Sequence, residues 1–429
     1  MKIAFLVWRF PVLSEAFILN QITGLLDRGH EVHIYALAGR PKGTKKVHPV
    51  VEKYNLLERT DYAPERPQNP WLCALKGFWL LLANLHKNSP RCLQMLNFKD
   101  CGNATQFWKH FYRAIAFLET DDYDIVHCQF GTLGPIGLTL REAGFLSGKL
   151  VTIFRGIDIS RHVREEGEDV YQELFAKGDY FLANCEFFRR RAIDLGCDPQ
   201  RIVVHGSGID CQKFNFKVRK FPDDGRIRIS TIGRLVEKKG IEYAIQAVAW
   251  VAQYHPNIEF LIIGDGPLKT RLQYSIDRLG AENFIKLLGW KQQQEIVEIL
   301  ETCHLFVAPS VTAADGNQDA PVNTLKEAMA MGLPVVSTHH GGIPELVDDG
   351  TCGFLVPERD AEAIAEKLAY LIEHPELWEV LGKAGRARVE EKYDMNGLND
   401  ELVEVYQTLL KSKPLQSGTS ALSIQASLA

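Results

Sequence analysis

The feature that most constrains this chain is a strand–helix alternation that fills its first half, halts at a strandless connector and then begins again. "KIAFLVW" reads as a buried strand, "SEAFILNQITGLLDRG" as a helix opened by an N-capping Ser14 and closed by Gly29, and "HEVHIYALA" as the next strand. A less regular, helix-rich insertion occupies about 45–120; after it "YDIVHCQ", "KLVTIF", "YFLANC" and "RIVVHG" read as strands with helices between them. The connector "GSGIDCQKFNFKVRKFPDDGR" (206–226) is rich in glycine and charge. Beyond it "IRISTIG", "IEFLIIG", "FIKLLG", "HLFVAPS" and "LPVVST" alternate with helical patterns such as "IEYAIQAVAWVAQ" and "TLKEAMAMG". Apolar strands alternating with helices imply parallel sheets covered on both faces. The expectation is an α/β chain of two doubly wound, Rossmann-like domains facing a cleft: 1–209 with the insertion, and 210–385. Helices at 386–411 are expected to pack back on the N-terminal domain, and 412–429 reads as a disordered tail. Ligands of such sheets sit beyond the carboxyl ends of the strands, so the strand ends are where chemistry is sought.

Composition narrows the class. The chain has 429 residues, 46% hydrophobic and 24% charged, as in a soluble globular protein too long for one core. Its nine cysteines are odd in number and none is spaced as CxxC, which indicates neither a disulfide framework nor a zinc site; reduced thiols of a cytoplasmic protein are expected. The N-terminal apolar run is short and broken by Arg9, unlike a signal peptide. "WLCALKGFWLLLANL" (71–85) is the most hydrophobic segment, but it holds Lys76 and is shorter than the ~20 residues that cross a bilayer. It reads either as a core or interface helix or as one lying on a membrane surface. Residues 1–205 carry a net charge of +3 and the remainder −8. Such a mildly basic N-terminal half suits an anionic partner but lacks the basic stripe that nucleic acid requires.

Three features of the second half fall at predicted strand ends. In "STIGRLVEKKGIEYA" a strand runs into Gly233 and Arg234, and Lys239 stands before Gly240 at the start of a helix. Gly233 lets backbone approach a ligand, Arg234 offers a fork of donors matched to phosphate, and Lys239 adds charge beside the positive end of a helix dipole. The same residues would also make an ordinary strand–helix turn with solvated charges. In "IIGDGPLK" Gly266 belongs to a tight turn whose backbone could meet a planar base, or simply turn the chain. In "GNQDAPVNTLKEAMAMG" Pro321 suits a first helical turn, with Asp319 just ahead of the helix and Glu327 along it. Eight helical residues rise ~12 Å, more than the ~5–9.5 Å between the paired carboxyls of a glycosidase, so a clamp on two parts of one long ligand fits better. Between them the amides around Val322, Asn323 and Thr324 lie at a helix N-terminus, which suits an anion. Taken alone, Asp319 could equally be a cap and Glu327 a solvated helix residue.

With these residues in place, the chain resembles the retaining family 4 glycosyltransferases of the GT-B fold. "GRLVEKKG", "GDGPL", "LGW", "VAPS", "DAPVNTLKEAMAMGLPVVST", "GGIPELVDDG" and "GFLVP" occur in order, and "FPVLSEAFILNQI" with "FRGIDIS" resembles the colanic-acid and exopolysaccharide subgroup. The resemblance implies that Arg234 and Lys239 neutralise a diphosphate, that Glu327 bonds the ribose, and that Asp319 faces the donor sugar where the family usually has Glu. It further implies that backbone at Trp290 holds the base. Arg155 stands where many relatives carry a His near the reacting carbon, and Gln129 where a second His is common. His127 is retained, either as a site residue or as a satisfied strand-end histidine. Ser14 and Glu15 replace a Gly-Gly loop and are expected to face the acceptor.

The implied function is retaining, metal-independent transfer from a nucleoside-diphosphate sugar to a saccharide or lipid-linked acceptor in exopolysaccharide biosynthesis. No metal or other cofactor is expected, and no nucleic acid. A membrane surface is a further expected partner of a cytoplasmic, peripheral protein. Alternative readings are a nucleotide-sugar epimerase of the same architecture, a phosphorylase-like enzyme, and a catalytically weak nucleotide-sugar-binding partner protein.

Overall fold

The computed structural model describes residues 1–12, 15–40, 48–85, 89–95, 104–120, 122–319 and 321–412. Ser14, Cys101 and, of the tail expected at 412–429, all but Ser412 lie outside the described residues. The first sheet has seven strands, β1 (Lys2–Val7), β2 (Glu31–Ala36), β3 (Thr60–Tyr62), β4 (Ile125–Cys128), β5 (Lys149–Phe154), β6 (Tyr180–Ala183) and β7 (Ile202–Val204). They are ordered β3-β2-β1-β4-β5-β6-β7, and every pairing is parallel. The second sheet has six, β8 (Ile227–Ile232), β9 (Ile258–Ile263), β10 (Ile285–Gly289), β11 (Leu305–Ala308), β12 (Val335–Thr338) and β13 (Phe354–Val356), ordered β10-β9-β8-β11-β12-β13 and again parallel. The chain is thus an α/β protein of two doubly wound sheets.

The run "KIAFLV" shows why the apolar strands are legible. Ile3, Phe5 and Val7 enter one buried cluster with Ile18 and Ile22 of helix Ala16–Asp27, whereas Ala4 and Leu6 enter another with Tyr35 and Phe117. Both faces of the sheet are covered, so the strand is apolar throughout instead of alternating. In each sheet the strand order reverses beside its first strand, between β1 and β4 and between β8 and β11. These are the switch points at which a parallel sheet opens a crevice at its carboxyl edge.

Several elements differ from the sequence reading. β3 and β13 were not anticipated; each is a three-residue edge strand, too short to show a pattern. Helix Asn323–Ala330 begins two residues after Pro321, so the proline precedes the cap instead of occupying the first turn. Helix Pro70–Asn84 is a core helix on one side only. Asn69 Oδ1 caps it by accepting from the amides of Trp71 and Leu72; Cys73 and Gly77 face inward, and Trp108 packs on Gly77. The opposite side is exposed. The last helix, Met395–Lys411, lies against helix Ala16–Asp27, with Leu402, Val405, Tyr406 and Leu409 in the buried cluster of β1. All eight described cysteines are buried and free.

Candidate active site

The carboxyl edges of the two sheets enclose a cleft of about 480 Å3. Three loops build its second-domain wall. After β8 the chain passes through Gly233 to Arg234, whose guanidinium is exposed and, among the described residues, makes no ion pair or side-chain hydrogen bond. A single turn, Glu237–Lys239, follows and closes on Gly240 in the left-handed region (φ 60°). A Cβ there would stand 1.9 Å from the Pro309 carbonyl oxygen, so glycine is what lets the lysine turn lie against the loop after β11.

That loop carries Asp319, and both lysines reach it. Lys239 Nζ lies 2.7 Å from Oδ2 and Lys238 Nζ 2.8 Å from Oδ1, while Ser310 Oγ donates to Oδ2 at 3.3 Å. The Asp319 amide donates to His340 Nε2 (2.9 Å), which makes Nδ1 the protonated nitrogen, and Nδ1 donates to Glu358 (2.6 Å). Glu358 also accepts from the Thr312 amide at 2.7 Å. Burial pushes the Asp319 carboxyl up, but the charges of Lys239 and Lys238 together outweigh it and hold the group well below the usual carboxylate range. Burial lowers the Lys239 ammonium, with Asp319 opposing the shift. Arg234 lines the same wall, so three cations and one anion give it a formal net charge of +2.

The third loop is the start of helix Asn323–Ala330. Its N-cap, Val322, offers no side-chain acceptor to the first amides, and Val322, Asn323 and Thr324 line the cleft. Thr324 Oγ1 donates to the Ile232 carbonyl at 3.0 Å and fixes this helix end against the end of β8.

Arg155, just past β5, dominates the first-domain wall. Its guanidinium donates to Ser207 Oγ (2.9 Å), Gln21 Oε1 (3.0 Å) and Gln129 Oε1 (2.9 Å), and stacks 4.3 Å over the Phe17 ring. Burial lowers its pKa to about 10, far above neutral, so the group stays a cation. Glu15 lines the same wall; burial pushes its carboxyl up to about 7, against the pull of Arg155 and Arg234.

Of the residues singled out from the sequence, Arg234, Lys239, Asp319, Arg155, Gly233, Val322, Asn323 and Thr324 line this cleft; His127, Gly266, Trp290 and Glu327 do not. His127 is fully buried inside β4, with Nδ1 bonded to the Tyr406 hydroxyl of the last helix and its pKa well below the usual value because of burial. It stands within the strand and outside the cleft lining, and its other nitrogen, Nε2, is buried with no hydrogen-bond partner among the described residues. Gly266 has a packing reason: a Cβ there would stand 2.6 Å from the Leu235 carbonyl oxygen. Trp290 follows β10 at the sheet edge and is half-exposed. Glu327 is partly buried on the helix that Val322 caps, and burial pushes it up to about 7. Asp319 does not cap that helix, because its carboxylate is taken by the lysines. Sequence reasoning passed over Lys238, Ser207, and the His340–Glu358 pair behind Asp319. Only Lys238 had a signal, the doubled lysine of "EKKG".

Among the described residues no group of three or more His, Cys, Asp or Glu side chains is arranged to hold a metal ion, and no helix is long and apolar enough to cross a membrane.

Comparison with known proteins agrees with this fold. Residues 14–213 match the family Glycosyltransferase Family 4, and residues 212–388 match Glycosyl transferases group 1. A putative colanic acid biosynthesis glycosyltransferase of Salmonella typhimurium is 36% identical over 415 residues, covering 95% of this chain and all of the relative. The amylovoran biosynthesis glycosyltransferase of Erwinia amylovora is 35% identical, again over 95% of this chain and the whole relative. Among solved structures, Anabaena HepE in complex with UDP-glucose superposes with a TM-score of 0.69 at 20% identity, covering 95% of this chain and 100% of that one. Sucrose-phosphate synthase from Thermosynechococcus elongatus superposes with a TM-score of 0.70 at 16% identity, covering 95% and 99%. Both halves of the chain and the full length of its relatives fall to one family, and the protein is a family 4 glycosyltransferase of the GT-B fold.

Proposed function

We propose that the cleft holds a nucleoside-diphosphate sugar and that the protein moves the sugar, with retained configuration and without a metal, to a saccharide or lipid-linked acceptor in exopolysaccharide assembly. The observation that carries this reading is the pair Lys238 and Lys239 on one carboxylate, with Arg234 on the same cleft wall and the N-terminus of helix Asn323–Ala330 beside them. A diphosphate is the ligand whose charge such a wall complements. Breaking the anomeric C–O bond leaves negative charge on the departing phosphate, and cations already fixed in place stabilise it without reorganising. The acceptor hydroxyl attacks the same face of the sugar, and its proton passes to a departing phosphate oxygen. Arg155 remains protonated and cannot serve as a base; it contributes positive field.

Asp319 meets the sugar hydroxyls as an acceptor, and Glu327, farther along the helix, meets the ribose. β10 stands two strands, about 10 Å, from β8, so backbone at Trp290 lies in the direction in which the nucleoside extends. The exopolysaccharide setting is supported by the relatives named for colanic acid and amylovoran biosynthesis. UDP-glucose bound by the Anabaena neighbour makes UDP-sugars the first donors to test, beside GDP- and ADP-sugars.

Thermal-shift titration with those donors, followed by transfer assays, tests the reading. Arg234→Ala and Lys239→Ala are each expected to lower the rate by about 10²–10³, as loss of one preorganised contact to developing charge does. Wild-type transfer by Arg234→Ala would remove the diphosphate from this wall.

A further inference from the structure

We propose that the outward face of helix Pro70–Asn84 docks the protein on an anionic lipid bilayer. Six large apolar side chains of this one helix, Trp71, Leu72, Leu75, Phe78, Trp79 and Leu82, are each between 51% and 85% exposed. At 100° per residue they fall within an arc of about 120°, the width of the stripe that an amphipathic helix normally buries. Among the described residues nothing covers it, and no other element gathers six such residues. The helix already buries its other side: Cys73 and Gly77 face inward, and a Cβ on Gly77 would stand 2.3 Å from the Trp108 ring. One apolar face holds the helix to the domain, and the second is left over. An exposed apolar area of this extent marks an interaction surface.

Charge points to a bilayer as the occupant. Residues 63–99 contain five Lys/Arg and a single acid, Glu65, in a chain whose net charge is −5. Arg66 is exposed in the turn ahead of the helix, and Lys76 on the helix reaches back to the Glu65 carbonyl at 2.7 Å. An apolar stripe with two tryptophans two turns apart and cations beside it matches the headgroup–acyl boundary of an anionic membrane. The helix is too short to cross, so it lies in the plane of the interface with the stripe ~5–10 Å deep. β3 runs parallel to β1, and the chain leaves it at the carboxyl edge of the sheet, eight residues before Pro70. None of the six side chains lines the cleft, and the inference is independent of what is transferred there.

Co-sedimentation of the full chain with vesicles of phosphatidylcholine alone, or mixed with phosphatidylglycerol, tests it. Binding is expected to the mixed vesicles and to weaken as salt is raised. Trp71→Ser combined with Phe78→Ser and Trp79→Ser should lower vesicle affinity by about tenfold or more, with unchanged melting and donor binding. Arg66→Glu should weaken binding to the mixed vesicles by about fivefold or more. Brominated-lipid quenching of the wild-type tryptophans reads the same insertion without any variant. Wild-type protein left in the supernatant, absence of quenching, or equal sedimentation of the triple variant would each overturn the proposal. A wild-type dimer that ignores vesicles and becomes monomeric in the triple variant would overturn it in favour of a second copy of the chain.

Discussion

Asp319 holds two lysines that would otherwise repel each other, and this makes it a structural residue of the cleft as well as a candidate sugar contact. Its side chain and those of Lys238 and Lys239 are 11%, 11% and 17% exposed, so the cluster is poorly screened by water. Asp319→Asn leaves two like charges side by side in a buried place, and removing one partner of a buried pair costs ~3–5 kcal/mol. The variant should melt well below the wild type in a thermal scan and lose most transfer. An unchanged melting temperature would mean that solvent already separates the lysines. Glu327 gives a second residue-scale expectation, with a sign that can be worked out. Burial pushes it up to about 7, so between about pH 4.5 and 7 the folded protein keeps a proton that the unfolded chain releases. The unfolded state then binds fewer protons, and this contribution to stability falls as pH rises through the window. Glu327→Gln removes the dependence. Its melting temperature relative to wild type should climb between pH 4.5 and 7 and level off above. A difference that stays flat with pH would place Glu327 in water.

At the scale of elements, the lysine turn depends on one backbone position. Gly240 closes it with φ 60° and opens helix Ile241–Val251, and the Pro309 carbonyl occupies the space a side chain would need. Gly240→Ala must push the turn away from the loop after β11 or strain the backbone, at a cost of ~1–3 kcal/mol. The displaced lysines should lower donor affinity along with stability, read by a nucleotide titration of the variant. Elements of this kind were largely legible in the sequence because their information is local. Apolar strands covered on both faces stand out as runs, and Gly233, Arg234, Lys239 and Asp319 all lie in the segments that leave β8 and β11, where ligands of parallel sheets gather. What was not legible depends on distant partners. His127 is assigned by Tyr406, 279 residues away, and the Arg155 wall by Gln21, Gln129 and Ser207 from three separate loops or helices. The edge strands β3 and β13 carry three residues each, too few for a period to show. The close approach of Gly266 to Leu235 is likewise a contact between loops that the sequence does not show.

The whole molecule crosses between its sheets twice, through the connector at 206–226 and again through helix Met395–Lys411, which returns to the first domain. That return is heavily bonded. Arg28 Nε lies 2.7 Å from Asp400, Asn399 Nδ2 donates to the Asn20 carbonyl at 3.2 Å, and Gly24 leaves room for the Asn399 amide, which a Cβ would meet at 2.0 Å. Leu402, Val405, Tyr406 and Leu409 complete the buried cluster beneath β1, whereas the cores of the second sheet draw on nothing beyond Tyr393. Four such side chains at ~1.5–3 kcal/mol each amount to about 6–12 kcal/mol, as an upper estimate. This is of the order of a domain's whole stability, ~5–15 kcal/mol. A chain ended at Asp394 should therefore fail to fold its first sheet while the second keeps a cooperative transition. Calorimetry of that shortened chain is expected to show one transition, smaller in enthalpy than the full protein's and still raised by a nucleoside diphosphate. Its near-UV signal from the first domain's buried tyrosines, Tyr35 and Tyr112 among them, should be lost. Retention of the full enthalpy would show that the first domain is stable alone and that the returning helix merely tethers it. Loss of both transitions would show that the two domains fold as one unit. The expected asymmetry, one domain completed by the other's C-terminus, has a mechanical consequence: any closing of the cleft over a donor has to bend the chain at both crossings together.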